Sequence, residues 1–241
     1  MTILAFAGPS LSRADRASFP EVEWRPPAEA GDLLRLAAGE ISAICLIDGY
    51  FDHRPAVRHK ELLLLLAKGV PVFGASSIGA LRAAEMAPFG MIGVGAIFAA
   101  YARGALTGDD EVALIHAGPE RDWRPLSIPL ADVRATLAAA RRARAIEGPE
   151  ARALLRRAAG IHYVDRDWAP VCAALPAGAR RAAFRAWLEH GAVSQKRADA
   201  LACVAAALRG GRELPARPAF VRTCFVDSLA RARGLDPAAI L

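Results

Sequence analysis

Apolar residues in the first third of the chain come in short unbroken runs, each closed by glycine, proline or aspartate. TILAFAG (2–8) and ISAICLID (41–48) are two such runs, and PVF (71–73) is a third. VEWRPP (22–27) alternates and stops at two prolines. Short apolar runs without alternation are what strands buried on both faces require, so these segments are predicted as strands of a parallel sheet. Between them the pattern switches to helical spacing. PSLSRADRASF begins a helix or turn with Ser10 or Ser12 as cap. Asp32 caps a helix over LLRLAAGE, and Pro55 opens one running to Gly69. A further helix follows PVFGASS and ends near Met86. The order strand–helix–strand–helix implies right-handed crossovers, and hence an α/β, parallel-sheet Rossmann-like core.

After Pro88 the pattern changes. PFGMIGVGAIFAAYARGAL is predicted as a glycine-rich turn and a helix, and EVALIHAG (111–118) as another strand that Trp123 to Ser127 continue. From Pro129 only helical periodicity remains, over about 129–146, 148–159, 165–175, 178–190, 195–209 and 218–233. The layout is therefore an α/β core over residues 1–127 and a helical C-terminal region over 128–241.

Composition supports a sizeable core, since 54% of the 241 residues are hydrophobic. No apolar run is long enough to span a bilayer, and no basic stretch precedes the first apolar residues, so a cytoplasmic protein without membrane association is expected. The four cysteines, Cys45, Cys172, Cys203 and Cys224, form no CxxC pair and suggest neither a metal site nor a disulfide framework. The net charge of +6 comes mostly from arginines after residue 134. Without aromatic interleaving these favour an acidic protein partner over nucleic acid.

In a parallel sheet, ligands gather outside the carboxyl ends of the strands. Three polar or glycine-rich turns fall there: Gly8-Pro9-Ser10, Asp48-Gly49-Tyr50-Phe51-Asp52 and Gly74-Ala75-Ser76-Ser77. Ala75-Ser76-Ser77-Ile78-Gly79 is similar to a nucleophile elbow with alanine replacing the first glycine. The same serines would also serve as a helix N-cap, or the turn could bind an anion through backbone N–H groups. His59 precedes Leu62, Leu63 and Leu66 at helical spacing, so it is expected to face the sheet near this rim. Arg82 and Glu85 can pair at i, i+3. His116 follows the acidic run Gly108-Asp109-Asp110-Glu111 and is a second candidate base. A serine–histidine–acid set could be drawn from Ser77, His59 or His116, and Asp48 or Glu111.

Taken together, Gly8-Pro9-Ser10-Leu11, Asp48-Gly49-Tyr50-Phe51, PAVRHKE (55–61), GASSIGALRAAE (74–85), PFGMIGVG (88–95) and DDEVALIH (109–116) resemble the TfuA-like family over roughly residues 1–130. Ile78 stands where the family often has methionine, and Gln195-Lys196-Arg197 is the most suggestive piece of the helical half. The resemblance implies an accessory role in peptide backbone thioamidation beside a YcaO-type enzyme that activates an amide with ATP. It further implies hydrolysis of the C-terminal thiocarboxylate of a ubiquitin-like sulfur carrier protein, releasing hydrosulfide near that partner and its target peptide. The chain has no P-loop of its own, and no cofactor is expected. On this reading Ser77, Ser76, His59, His116 and Asp48 are candidate catalytic residues. Ser10, Arg82, Glu85, Lys60 and Tyr50 are candidate substrate-binding residues. A non-catalytic adapter for the YcaO-type enzyme is the alternative.

Overall fold

The apolar runs become strands because each supplies residues to both faces of one sheet. In the computed structural model, which describes residues 2–50, 52, 54–210 and 217–240, the strands are β1 (Thr2–Phe6), β2 (Val22–Arg25), β3 (Ile41–Leu46), β4 (Val72–Gly74) and β5 (Ile92–Gly93). The helices are α1 (Arg13–Ala17), α2 (His59–Ala67), α3 (Ile78–Met86), α4 (Gly95–Ala102), α5 (Leu130–Arg142), α6 (Gly148–Ala159), α7 (Trp168–Cys172), α8 (Ala179–Gly191), α9 (Gln195–Arg209) and α10 (Cys224–Ala232). All strand pairs are parallel, in the order β2-β1-β3-β4-β5. The strand order reverses between β1 and β3, and in open parallel sheets ligands bind at such a switch point, outside the carboxyl ends of the strands.

Contacts divide the chain into two compact units. One comprises Met1–Leu106 with Arg197–Leu241, the other Thr107–Lys196. In the first unit, alternate strand residues point to opposite faces. Leu4, Phe6, Ile44, Leu46 and Val72 face a cluster with Leu62 and Leu65 of α2, Ala83 and Met86 of α3, and Val226 and Ala230 of α10. Ala5, Ala43, Cys45, Ile47 and Phe73 face Ala200, Cys203, Val204 and Ala207 of α9. The units thus run differently from a division at residue 127: the apolar stripes of α9 and α10 are spent on the sheet. The second unit has its own core of Leu130, Val133, Leu137, Leu154, Val171, Phe184 and Leu188.

Four local expectations are corrected. The helix expected over LLRLAAGE is a single 3₁₀ turn at Leu34–Leu36. The helix expected from Pro55 starts at His59, with Arg58 as its cap residue. Residues 111–118 form no strand: Asp109–Glu111 is a 3₁₀ turn, and an isolated antiparallel bridge joins His116 to Pro125. Side chains take the bonds a neighbouring strand would have taken, because Lys196 Nζ donates to Val112 O at 2.9 Å and Ile115 N donates to Ser127 Oγ at 2.9 Å. The glycine-rich stretch after Pro88 contains the two-residue strand β5.

Candidate functional site

The three turns at the carboxyl ends of β1, β3 and β4 converge. Asp48, two residues beyond β3, is 1% exposed. Its Oδ2 accepts the backbone N–H of Gly8 at 2.8 Å and of Ser10 at 3.0 Å, and its Oδ1 accepts the Ser10 hydroxyl at 2.7 Å. Three donors suit a buried carboxylate. Ser10 Oγ in turn lies 2.7 Å from Ser76 Oγ. Because the Ser10 proton is committed to Asp48, the Ser76 hydroxyl donates to Ser10. Loops 38 and 66 residues apart in sequence are joined by this chain.

The turn that carries the serines is tight. Ser76 adopts φ 68°, and the Ser77 N–H donates to Ala75 O at 2.9 Å, closing a three-residue turn around Ser76. A buried non-glycine residue in this region costs on the order of 1–3 kcal/mol. Ser77 precedes α3 without a side-chain capping bond, so the capping role considered for it is not the one it has. Glycine is required on either side by close approach. A β-carbon on Gly74 would stand 2.3 Å from Gly79 O, and one on Gly79 would stand 1.8 Å from Leu46 O. With Ala80 and Ala83 fully buried, α3 presses directly on the sheet and points its N-terminus at the serine turn.

A second cluster gathers Arg82, Glu85 and His59. Arg82 Nε donates to Val57 O at 3.0 Å and its Nη1 to Glu85 Oε2 at 2.6 Å, while His59 Nε2 lies 2.9 Å from the same oxygen. His59 does not face the sheet: its side chain is 50% exposed. The inward face of α2 is set by Glu61, Leu62 and Leu65, and the first turn holds His59 outside it. The cluster borders a groove of about 420 Å³ lined by residues 55–61, Arg82, Leu34 and the α10 side chains Phe225, Val226 and Leu229.

Lys60 donates from Nζ to Val221 O at 3.2 Å and sits 5.6 Å from the centre of the Phe220 ring. Tyr50 is half-buried, with the Arg54 guanidinium 4.8 Å above its ring, beside a depression of about 460 Å³. Its neighbour Phe51 lies outside the described residues. His116 belongs to the second unit, where Nδ1 donates to Ala117 O at 2.8 Å. Glu111 is in that unit too, paired with Arg134 at 2.6 Å.

Glu61 and Lys196 are among the buried charges that spacing did not single out. Glu61 is 1% exposed and accepts Gly31 N–H at 2.7 Å and Arg58 N–H at 3.0 Å. Burial pushes its carboxyl up to about 7, against the pull of these bonds. The only sequence signal was an acid four residues before Leu65. Lys196, 2% exposed in the second unit, donates to Val112 O. Fully buried lysines are uncommon, and burial is where lysines acquire acid–base roles. Among the described residues, no group of three or more His, Cys, Asp or Glu side chains could hold a metal ion. Nor is any helix there long and apolar enough to cross a membrane.

No curated protein matches the chain. A family described as TfuA-like protein matches residues 48–167, a span that opens on Asp48 and includes His59, Ser76, Ser77, Arg82, Glu85 and His116. The motifs outside the span, Gly8 and Ser10, are those that Asp48 binds. On that match, the chain belongs to the TfuA-like family.

Proposed function

We propose that this protein hydrolyses the C-terminal thiocarboxylate of a small ubiquitin-like sulfur carrier and supplies hydrosulfide to a YcaO-type enzyme that thioamidates a peptide. Membership of the TfuA-like family supports a role associated with the thioamidation machinery. The observation that carries the hydrolytic reading is the serine turn. A left-handed Ser76 precedes Ser77 at the N-terminus of α3, at the carboxyl edge of the sheet. Ser77 is 5% exposed at this position, and the helix N-terminus beside it can stabilise an oxyanion.

The chemistry is acyl transfer to water. Ser77 Oγ bonds to the thiocarboxylate carbon and its proton passes to a base. The carbon–sulfur bond breaks and sulfur leaves as hydrosulfide. Water then cleaves the acyl-serine, returning the carrier's carboxylate and the serine hydroxyl. His59, oriented by Glu85, is the candidate base in the same unit as Ser77. Arg82 and Lys60 are candidates for holding the carrier's C-terminal segment, with Tyr50 and Ser10 on the rim.

The test is sulfide release from thiocarboxylated carrier by the purified protein. Release by the wild type and its loss in Ser77→Ala supports the reading; full activity in Ser77→Ala and in His59→Ala/His116→Ala removes this site.

One observation favours the adapter reading. Val221 and Phe225 are 64% and 80% exposed, and Phe225 borders the groove walled by Arg58, Lys60 and Arg82. An adapter stimulates thioamidation from free sulfide, and substitutions in the serine turn leave that stimulation intact.

A further inference from the structure

Ser76 poses a question that the hydrolytic reading leaves open. Among the described non-glycine residues at positive φ (Ser76, Asp122, Trp123 and Arg144), it alone is fully buried. Glycine would adopt φ 68° without strain. A serine there is maintained only if the surroundings over-determine it. The surroundings do so through a one-way chain of protons. Asp48 can only accept, and its two oxygens take Gly8 N–H, Ser10 N–H and Ser10 O–H. Ser10 can therefore only accept from Ser76, at 2.7 Å. Each hydroxyl has one orientation, and the chain ends at the residue whose φ determines where Ser77 points.

The geometry points to Asp48, Ser10 and Ser76 as positioning residues: a buried hydrogen-bonded chain from β3 through the β1 loop that locks the β4–α3 turn and aims Ser77. None of the three touches substrate in this assignment: their side-chain oxygens are spent on one another and on the backbone N–H groups of Gly8 and Ser10. It reassigns Ser76 and Asp48 from chemistry to support, and Ser10 from substrate binding. The inference rests on the hydrolytic reading for its catalytic consequence, but its structural content stands apart from it.

The experiment uses the full chain with four substitutions: Ser76→Gly, Ser10→Ala, Ser10→Thr and Asp48→Asn. Ser76→Gly removes the hydroxyl and the strain together, so it keeps the fold. Asp48→Asn keeps the shape but places an amide N–H₂ against a donor, reversing the chain's polarity. Sulfide release is resolved into kcat and KM, thermal midpoints are recorded, and amide hydrogen exchange is read at Ser77. Ser76→Gly, Ser10→Ala and Asp48→Asn are expected to lower kcat about 100-fold with KM within about threefold, the scale of a misplaced reacting group. Ser77 exchange is expected to quicken at least about tenfold in each, since its N–H closes the turn. Ser10→Thr, which keeps the hydroxyl, recovers most of both.

Unchanged exchange together with unchanged kcat overturns the inference. A kcat loss with unchanged exchange also overturns it, because the groups would then act on substrate directly, and so does faster exchange with wild-type kcat. If the wild type releases no sulfide, the hydrolytic reading falls by itself. The exchange of Ser77 then decides alone whether the chain holds the turn.

Discussion

The Glu61 carboxylate accepts the Gly31 N–H at 2.7 Å, tying the first turn of α2 to the loop that follows β2. Desolvation outweighs the backbone donors of Arg58, Gly31 and Leu33 and raises this carboxyl from about 4.5 to about 7. A folded-state value above the unfolded one means the folded protein holds the proton longer. The stabilisation is complete below about 4.5 and is lost as the pH rises through about 7, a change on the order of 3 kcal/mol. Urea midpoints of the wild type and Glu61→Gln at pH 5 and pH 8 check this: the decline with pH should be shallower in the variant.

Asp15 presents the opposite sign. Its bond to Arg197, with Oδ2 3.0 Å from Nε, lowers its carboxyl to about 2, helped by the Ser12 cap and opposed by burial. Its stabilisation is present above the ordinary value near 3.8 and is lost as the pH falls through about 2. Because the Arg197 side chain is 55% exposed, solvent screening reduces the contribution to about 1 kcal/mol. Asp15→Asn should lower the urea-derived stability by about that amount at pH 7 and by nothing measurable near pH 2.

Gly79→Ala should be among the most destabilising single methyl additions in the chain. The new carbon meets the Leu46 carbonyl, which is backbone and cannot rotate away. Overpacking of this kind reaches about 3 kcal/mol or more. Chemical denaturation gives the magnitude, and a loss below 1 kcal/mol would mean that α3 can lift from the sheet.

In the second unit, Asp132 Oδ1 accepts the Lys196 N–H at 2.9 Å. Burial raises the Asp132 carboxyl, while its bonds and the Lys196 charge hold it down. Lys196→Met removes a buried cation from beside a buried acid and leaves Val112 O without its donor. Such deletions cost about 3–5 kcal/mol. The variant should unfold earlier in urea, and Asp132 should titrate at higher pH when followed by NMR.

Much of the first unit was legible because buried parallel strands leave unbroken apolar runs. Four of the five were read from sequence, while β5, two residues long, leaves no pattern to read. Parallel order then carried Ser10, Asp48 and Ser76 to one edge before any contact was known. His59 was misplaced: it is the first residue of α2, and its leucine spacing does not carry its side chain to the sheet. Apolar spacing also could not say that Glu61 and Lys196 are buried, since charge argues for the surface until a specific partner is seen. Nor does a helical stripe name what it covers: α9 read as one more helix of the C-terminal region, yet four of its side chains close a face of the sheet.

That last feature governs the order in which the protein can be made. On the ribosome, strands β1 to β5 emerge first, but Ala43, Cys45, Ile47 and Phe73 meet their cover only when Ala207 has been synthesised. The intervening unit, with a core of its own, can fold while the nascent sheet waits half-dressed. A stop codon just after residue 196 should therefore yield a chain prone to chaperone retention and aggregation, although every strand is present.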